Sequence, residues 1–371
     1  MRILQVGKYY PPYKGGIENN TRHCSEELSK DHEVIVLVFN TNSQTVEEEV
    51  NGIKVIRVGS MGNLFSQELT FKMIKYIKGL KPDIIHFHAP NPVGMVSILI
   101  GAPKSAKIVV THHTDIVRQK FLKKIVLPLY KILLKRTARI ISYTDKYPAH
   151  SDELVGFEDK FSTVPNGTSE KPFMDELLIA KVAADFRDKY TKGAPTVAFL
   201  GRQVAYKGID LIIKAIARTT DVHALIGGHG PELKNNKQLA HDLGIADRVH
   251  FVGEINDFNK GGFLHASDIF LLPCTNRTES YGQVLVEAQL CKLPTIVSDV
   301  GSGVSEVTQH NETGLVIPPN NVDALHTAIV KLINDPELRT RMGDAGYIRA
   351  KTNYVETVTG PLLRKLFNDL A

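Results

Sequence analysis

The stretch TNRTESYGQVLVEAQLCKLPTIVSD, residues 275–299, gives the clearest indication of how this chain folds. An apolar run at 269–272 precedes it and another begins at Pro294, so the pattern predicts a strand, a polar loop, a helix and a second strand. Such a loop presents ligand-binding groups at the edge of an α/β sheet. The unpaired N–H groups at the helix start suit a phosphate, and Gly282 allows close approach of the backbone.

Two glutamates stand eight positions apart in this stretch. Glu279 lies just before the predicted helix and Glu287 about two turns along it, so one carboxylate can face a sugar while the other reaches a ribose. The simpler interpretation is an acidic cap and a surface glutamate, because this spacing is common. The pair, followed by Ala288, resembles the signature of retaining glycosyltransferases of family 4. That resemblance implies the GT-B architecture, in which two Rossmann-like domains face each other across a cleft.

Length and composition describe an ordinary globular protein. The 371 residues are enough for two domains, and 43% hydrophobic and 23% charged residues exclude a disordered chain. Three scattered cysteines argue against a disulfide framework or zinc site and favour a reducing compartment. The first residues already read as a core strand, so no signal peptide is expected. No apolar run reaches the roughly 20 residues of a membrane span. These features predict a cytoplasmic protein.

Strand-like runs alternate with helical stretches, which predicts parallel α/β sheets. The predicted strands are 3–6, 33–39, 53–58, 84–88, 108–111, 140–143, 196–200, 222–226, 249–252, 269–272, 295–297 and 315–317. Strand signals lapse at 166–195, which places a domain boundary near residue 168. We predict an acceptor-binding domain at 1–167 and a nucleotide-sugar-binding domain at 168–353. The resemblance implies that a C-terminal helix at 354–371 packs back on the first domain.

The loop after the first strand contains Gly15 and Gly16 at a predicted helix start. The dinucleotide fingerprint G-x-G-x-x-G is absent from it. Two glycines at a helix start suit backbone contact with a phosphate or sugar, although a plain glycine-rich turn has the same pattern. The loop resembles the glycine loop that lies against the donor diphosphate in family 4.

Histidines follow two predicted strands of the first domain. His86 and His88 share one face of a strand, but no third ligand is evident at a suitable spacing, so we predict cleft-lining histidines and no metal. Residues 113–120 resemble the H-x-D-I-V-x-Q-K stretch of bacterial mannosyltransferases that build lipid-linked surface polysaccharides. By that resemblance His113 is the donor-side histidine and His112 its neighbour. Asp115 is expected either to orient an imidazole or to cap the next helix.

Residues 116–144 contain no acidic residue. Apolar residues recur there at helical spacing among lysines and arginines, and a basic amphipathic helix is typical of a surface for anionic lipid. An ordinary crossover helix with a solvated basic face is the alternative, and nothing resembles a nucleic-acid-binding motif. The predicted membrane-surface residues are Arg118, Lys120, Lys123, Lys124, Lys131 and Lys135.

The second domain opens with G-R-x4-K-G, which contains Arg202 and Lys207. Two cations beside a helix N-terminus can neutralise a diphosphate and stabilise it as a leaving group. The motif resembles the diphosphate-binding motif of family 4. The backbone at Ser280, Tyr281 and Gly282 would add its helix dipole. No D-x-D motif occurs, so neither a metal nor another cofactor is expected.

Together these motifs predict a retaining transferase that moves a hexose from a nucleotide diphosphate sugar to a lipid-linked saccharide. Glu279 would hold the donor sugar, Glu287 the ribose, and His113 would support the transition state. The resemblance favours GDP-mannose and cell-surface polysaccharide synthesis at the inner face of the cytoplasmic membrane. UDP-sugars are the alternative donors. A GT-B epimerase or phosphorylase and a non-catalytic nucleotide-sugar binder are the alternatives from other classes.

Overall fold

The computed structural model describes residues 1–13, 15–64, 67–116 and 120–370. They form two compact α/β units. Unit 1 comprises Met1–Gly167 and Thr357–Ala371, and unit 2 comprises Thr168–Glu356. The second crossing between the units therefore follows residue 356, three residues later than the boundary expected at 353.

Unit 1 is built on an eight-stranded sheet with the order β10-β9-β8-β7-β1-β2-β4-β3. Neighbours are parallel except β3 and β4. A separate hairpin joins β5 and β6. The strands are β1 Arg2–Val6, β2 Glu33–Phe39, β3 Val46–Val50, β4 Ile53–Val58, β5 Asn63–Leu64, β6 Gln67–Glu68, β7 Ile84–Ala89, β8 Lys107–His112, β9 Thr137–Ser142 and β10 Phe161–Thr163.

Unit 2 is built on a six-stranded, wholly parallel sheet with the order β13-β12-β11-β14-β15-β16. The chain moves outward from β11 in one direction and then from β14 in the other. Ligands of doubly wound sheets bind at such a reversal, outside the carboxyl ends of the strands. The strands are β11 Thr196–Leu200, β12 His223–Gly227, β13 Val249–Gly253, β14 Ile269–Leu272, β15 Thr295–Ser298 and β16 Gly314–Ile317.

Helices cover the sheets. They are α1 Gly16–Leu28, α2 Lys72–Leu80, α3 Pro92–Gly101, α4 Lys120–Arg136, α5 Lys146–Ala149, α6 Glu176–Phe186, α7 Ile209–Ile216, α8 Leu233–Asp242, α9 Asp257–His265, α10 Gln283–Leu290, α11 Val304–Val307, α12 Val322–Asn334, α13 Pro336–Asn353 and α14 Glu356–Asn368. The terminal helix expected at 354–371 is therefore α14, which begins two residues later.

The apolar runs of the sequence explain the parallel sheets. In β2 six consecutive residues are buried, as expected for a strand with helices on both faces. Side chains alternate between the faces of β1, so Leu4 joins the core beneath α2, α3 and α4, whereas Ile3 joins the core that contains Phe367 of α14. The predicted α/β class is confirmed.

Candidate active site

Two loops meet at the reversal point of the unit 2 sheet. The loop after β11 ends at Gly208, which has φ +70° and whose hypothetical Cβ would overlap the Pro273 carbonyl oxygen after β14. The Thr275 N–H donates to the Tyr206 carbonyl over 2.8 Å. A residue with a side chain could not keep this approach at 208, because both the backbone conformation and the space exclude it. The G-R-x4-K-G loop is thus tied to the loop before Glu279.

Lys207 and Glu279 form an ion pair where these loops meet. Their side chains are only 11% and 16% exposed. The other Glu279 oxygen accepts from the Gly282 N–H over 3.0 Å, so the carboxylate also caps the start of α10. Burial acts to lower the pKa of Lys207, but the Glu279 charge outweighs it and the pKa lies above its ordinary value. The fold therefore joins two predicted site residues that are 72 positions apart.

The start of α10 is held by its backbone. Gly282 has φ +75°, and the Ser280 carbonyl accepts from the Gly303 N–H over 2.8 Å. Tyr281 is buried, with its ring centroid 6.1 Å from that of Tyr354. Because the Tyr281 side chain lies in the core, this residue offers a ligand its backbone and not its phenol.

Glu287 faces into unit 2 and is not the surface glutamate of the simpler interpretation. Its carboxylate lies 2.8 Å from the Lys260 ammonium of α9, and the two side chains are 13% and 17% exposed. Burial raises the pKa of Glu287, while Lys260 opposes that shift. Lys260 was not predicted as a site residue, because nothing near it in the sequence connects it with α10.

Arg202 is exposed at the end of β11, and its guanidinium has no partner among the described residues. The neighbouring backbone is tightly constrained. The Gly201 N–H donates to the Gly227 carbonyl over 3.1 Å, and a Cβ on Gly228 would overlap the Gly201 carbonyl oxygen. The loop thus presents a cation on a fixed backbone.

The glycine loop of unit 1 begins α1. The Gly15 carbonyl accepts from the Asn19 N–H over 2.9 Å, and a Cβ on Gly15 would overlap a Glu18 carboxylate oxygen. A Cβ on Gly16 would meet no atom within 4 Å. That oxygen is the end of a flexible side chain and the Gly15 backbone is extended, so packing does not require a glycine at 15, and the space beside Gly16 is open. The predicted contact of both with a diphosphate stays a prediction.

A chain of hydrogen bonds runs across four strands at the carboxyl edge of the unit 1 sheet. His88 Nε2 lies 2.9 Å from Gln5 Oε1, and His88 Nδ1 lies 3.0 Å from His113 Nε2. His113 Nδ1 lies 2.5 Å from the Tyr143 hydroxyl. Burial lowers the pKa of His88 to about 3 and that of His113 well below its ordinary value, so both rings are neutral.

The acceptor at Gln5 determines the tautomers. Because Oε1 only accepts, His88 carries its proton on Nε2, and its Nδ1 accepts from His113 Nε2–H. Tyr143 then donates to His113 Nδ1. Both ring nitrogens of His113 are thus engaged within unit 1, and a role at the transition state stays a prediction. Gln5 was missed, although a polar residue inside the apolar run at 3–6 was a signal.

A second buried group surrounds His112. Its Nε2 lies 3.0 Å from Asp115 Oδ1 and its Nδ1 lies 2.8 Å from the Tyr130 hydroxyl. Of the two roles expected for Asp115, contact with an imidazole is present. Ligand atoms of His112, Asp115 and Glu153 all lie within 4.8 Å of one another, which is close enough for a metal ion. However, Glu153 is already 2.8 Å from the Lys123 ammonium.

The predicted membrane-surface residues have different environments. Arg118 lies outside the described residues, and so does the side chain of Lys120, although its backbone begins α4. Lys123 is turned towards Glu153. The remaining three, Lys124, Lys131 and Lys135, are exposed or partly exposed. Ile125 and Ile132 on the same helix are 55% and 50% exposed, so apolar groups accompany the lysines at the surface.

Two parallel-sheet units with polar groups at the carboxyl edges of their strands define a two-domain α/β protein of the nucleotide-binding kind. Residues 183–349 match the family model of glycosyl transferases group 1, and residues 14–171 match that of Glycosyltransferase Family 4. The chain belongs to this glycosyltransferase family. It is a hexosyltransferase, as predicted.

Relatives and solved structures agree with this assignment. An O-antigen chain mannosyltransferase C of Escherichia coli is 30% identical over 93% of this chain and 92% of the relative. A D-rhamnosyltransferase of Pseudomonas aeruginosa is 30% identical over 92% of this chain and 89% of that relative. A GDP-mannose-dependent alpha-(1-6)-phosphatidylinositol monomannoside mannosyltransferase of Mycolicibacterium smegmatis is 26% identical over 99% of this chain and 98% of that relative.

The structure of sucrose-phosphate synthase from Thermosynechococcus elongatus superposes with a TM-score of 0.81 at 19% identity, covering 100% of this chain and 98% of that one. The likeness confirms the predicted GT-B fold class. Among the described helices, none combines the length and apolar character that crossing a bilayer requires.

Proposed function

We propose that this protein is a retaining mannosyltransferase that uses GDP-mannose and acts on a lipid-linked saccharide in cell-surface polysaccharide synthesis. The observation that carries the proposal is the Lys207–Glu279 pair at the reversal point of the unit 2 sheet. It combines a cation for the diphosphate with a carboxylate for sugar hydroxyls. The names of two relatives, an O-antigen mannosyltransferase and a GDP-mannose-dependent enzyme, support the donor and the acceptor class.

Binding of the donor would exchange the partners of this ion pair. The diphosphate would attract the Lys207 ammonium, and the exposed Arg202 guanidinium would add a second positive charge. Glu279, released from Lys207, would accept hydrogen bonds from the hexose. The two cations and the N-terminus of α10 would then stabilise the diphosphate as it leaves. In this proposal they replace the charge of a metal ion.

Glu287 is the group we assign to the ribose. Its carboxylate is anchored by Lys260, so it is held in place and keeps acceptor capacity for two hydroxyls. Retention of configuration would follow from same-face attack by the acceptor, with a diphosphate oxygen as the base. That route is what the family implies, and it does not require a protein side chain as nucleophile.

We infer that the acceptor is reached at the inner face of the cytoplasmic membrane. Support comes from α4, where Lys124 and Lys135 accompany the exposed Ile125 and Ile132. Further support comes from α2, whose exposed lysines follow Phe71, which is 75% exposed. Basic helices with exposed apolar side chains bind anionic interfaces.

The experiment that tests the donor is a thermal-shift panel with GDP, UDP, GDP-mannose and UDP-glucose in excess EDTA. A ligand that binds only the native state raises the melting temperature with its concentration. We expect GDP and GDP-mannose to do so. A selective response to UDP-glucose would keep the enzyme class and contradict mannose as the sugar, and no response to any nucleotide would contradict the site.

Transfer of mannose is then measured on a lipid-linked saccharide acceptor. Glu279→Gln should lower kcat by about 100-fold, as loss of a group in direct contact with the reacting sugar does. Glu337→Gln, an exposed carboxylate of α13, is the matched control and should retain full activity. Donor turnover without acceptor would favour an epimerase or phosphorylase, and binding without turnover would favour a nucleotide-sugar binder.

A further inference from the structure

The segment made up of α5 and the residues after it holds the loop that follows His113. This loop contains Asp115, whose N–H donates to the Tyr147 hydroxyl over 2.7 Å. The Ser151 hydroxyl donates to Asp115 Oδ1 over 2.5 Å. The position of the loop is therefore determined by side chains 32 and 36 residues further along the chain.

Glu153 is the third side chain of this segment that contacts the loop, and it is only 1% exposed. Its Oε1 accepts from the Ile116 N–H over 2.8 Å. The same oxygen lies 2.8 Å from the Lys123 ammonium of α4. One buried carboxylate thus joins the loop after His113 to the helix that we assign to the membrane surface.

The Glu153–Lys123 ion pair does more to fix the position of the loop relative to α4 than to stabilise the fold. A buried carboxylate loses its hydration, and the attraction of one ammonium roughly offsets that loss. A buried ion pair can nevertheless fix one arrangement of the elements it joins, since separating the charges leaves each without a partner. Here the elements are the loop at Ile116 and α4 at Lys123.

We propose that Glu153 is a positioning residue of the transferase. It holds the loop after His113 in one position relative to α4, because its carboxylate contacts both the Ile116 N–H and the Lys123 ammonium. This inference rests on the proposed function for its effect on turnover. It also divides the lysines of α4 into two groups, because Lys123 points inward as an anchor whereas Lys124 and Lys135 point outward.

The group formed by His112, Asp115 and Glu153 does not require a metal cation. Lys123 already provides a positive charge at Glu153, and Asp115 Oδ1 is shared by the Ser151 hydroxyl and His112 Nε2. Each of the three residues of the group therefore has a protein partner. We accordingly assign the cluster to positioning and not to metal binding.

The first test needs no activity. Hydrogen exchange of the peptide that contains Ile116 is compared in the full chain and in Lys123→Met, with Lys124→Met as the matched control on the exposed side of α4. Loss of the inward anchor should speed exchange of the loop about tenfold, since the acceptor of the Ile116 N–H is no longer fixed. Equal exchange in the two variants would overturn the proposal.

The second test separates positioning from stability. Lys123→Met leaves the buried carboxylate unpaired and should lower the melting temperature, whereas the double variant Lys123→Met with Glu153→Gln should recover it. We expect kcat to fall about 10- to 100-fold in both, because misplacement of a site loop costs rate even when the fold is sound. The shift induced by GDP should be unchanged.

Recovery of kcat together with stability in the double variant would reduce Glu153 to a structural role. The proposed function fails differently, as absence of transfer by the unsubstituted protein, and the hydrogen-exchange result would still decide the positioning role.

Discussion

Lys207 and Glu279 illustrate how the fold can accommodate nearly buried charged groups of a site while the ligand is absent. Each would be a nearly buried, unpaired charge without the other, and such a charge costs several kcal/mol. The pair satisfies both groups while the donor is absent. Binding of a diphosphate sugar would give Lys207 an anionic partner in the diphosphate and would give Glu279 the hydroxyl donors of the hexose. Both groups would thus have partners in both states.

We predict that Lys207→Met lowers the free energy of unfolding by about 3 kcal/mol, because the Glu279 carboxylate loses its partner. The double variant Lys207→Met with Glu279→Gln should recover most of that loss. Urea unfolding measures both. The control is Lys214→Met, whose exposed pair with Asp210 is expected to contribute below about 0.5 kcal/mol. Equal losses in the two single variants would contradict a special pair at the site.

The buried histidines of unit 1 predict acid sensitivity. The pKa of His88 is lowered to about 3 in the folded chain from an ordinary value of 6.5. Between these values the unfolded chain binds the extra proton, so stability falls as the pH is lowered through this window. Each such histidine contributes a slope of up to about 1.4 kcal/mol per pH unit.

His88→Gln should therefore flatten the plot of unfolding free energy against pH between about pH 6 and pH 4. Urea unfolding at a series of pH values measures the slope. His241→Gln replaces an imidazole that is 79% exposed and should leave the slope as it is. Parallel plots for the two variants would show that His88 is protonated in the folded chain.

At the scale of elements, α10 depends on how it begins. Gly282 adopts φ +75°, and a Cβ there would lie 2.9 Å from Leu285 Cδ1 and 3.1 Å from Leu272 Cδ2. Gly244 has φ +69° with no atom near a hypothetical Cβ. The two glycines thus share a left-handed backbone conformation but differ in the space beside them.

Gly244→Ala should cost about 1 kcal/mol from backbone strain alone. Gly282→Ala should cost about 2 to 3 kcal/mol, because its neighbours must also move. It should weaken GDP binding as well, since Glu279 caps the same turn. Urea unfolding and a GDP titration give the two values, and an equal cost at both positions would contradict the packing argument.

Helix α4 has an inward face that closes the unit 1 core and an outward face that carries exposed lysines and isoleucines. Each lysine near an anionic leaflet contributes about 1 kcal/mol, and salt weakens the attraction. The charge-reversed triple variant Lys124→Glu, Lys131→Glu and Lys135→Glu should therefore sediment poorly with anionic vesicles at low salt. Lys123 is left intact because of its bond to Glu153.

The matched control for this experiment reverses the same number of charges on exposed lysines of unit 2. The variant Lys181→Glu, Lys234→Glu and Lys331→Glu should sediment with vesicles almost as the unsubstituted protein does. If both triple variants lose vesicle binding equally, net charge and not the surface of α4 governs it.

At the scale of the whole molecule, the chain returns to the unit in which it began. Helix α14 packs on unit 1, where Phe367 is fully buried with its ring 5.1 Å from that of His86. The Lys107 ammonium donates to the Leu370 carbonyl over 2.6 Å. Unit 1 is therefore completed by the last residues of the chain.

Phe367→Ala should lower the free energy of unfolding of unit 1 by about 3 to 5 kcal/mol, the cost of a large cavity in a core. Leu362→Ala, on the same helix but 46% exposed, should cost far less. Urea unfolding followed by circular dichroism measures the difference. Similar losses in both would show that α14 contributes little to the core of unit 1.

The amino-acid sequence was enough to predict the parallel α/β class and the positions of twelve strands. Continuous apolar runs such as 34–39 have the pattern of strands buried on both faces. It did not reveal β3, VEEEV, which is apolar only at its ends because it lies at the sheet edge. The hairpin of β5 and β6 was missed too, since two-residue strands leave no periodic signal.

The residues of the candidate site can likewise be separated into those that the sequence predicted and those that it did not. The G-R-x4-K-G loop and the spacing of two glutamates, together with the resemblance to family 4, predicted Lys207, Glu279 and Glu287, because motif spacing and loop position are local properties of the sequence. Only the tertiary structure showed that Lys207 pairs with Glu279, that Lys260 anchors Glu287, and that Glu153 joins two elements. Such partners depend on which strands lie side by side and in which register. Packing of the whole sheet decides that order, and no short stretch of sequence contains it.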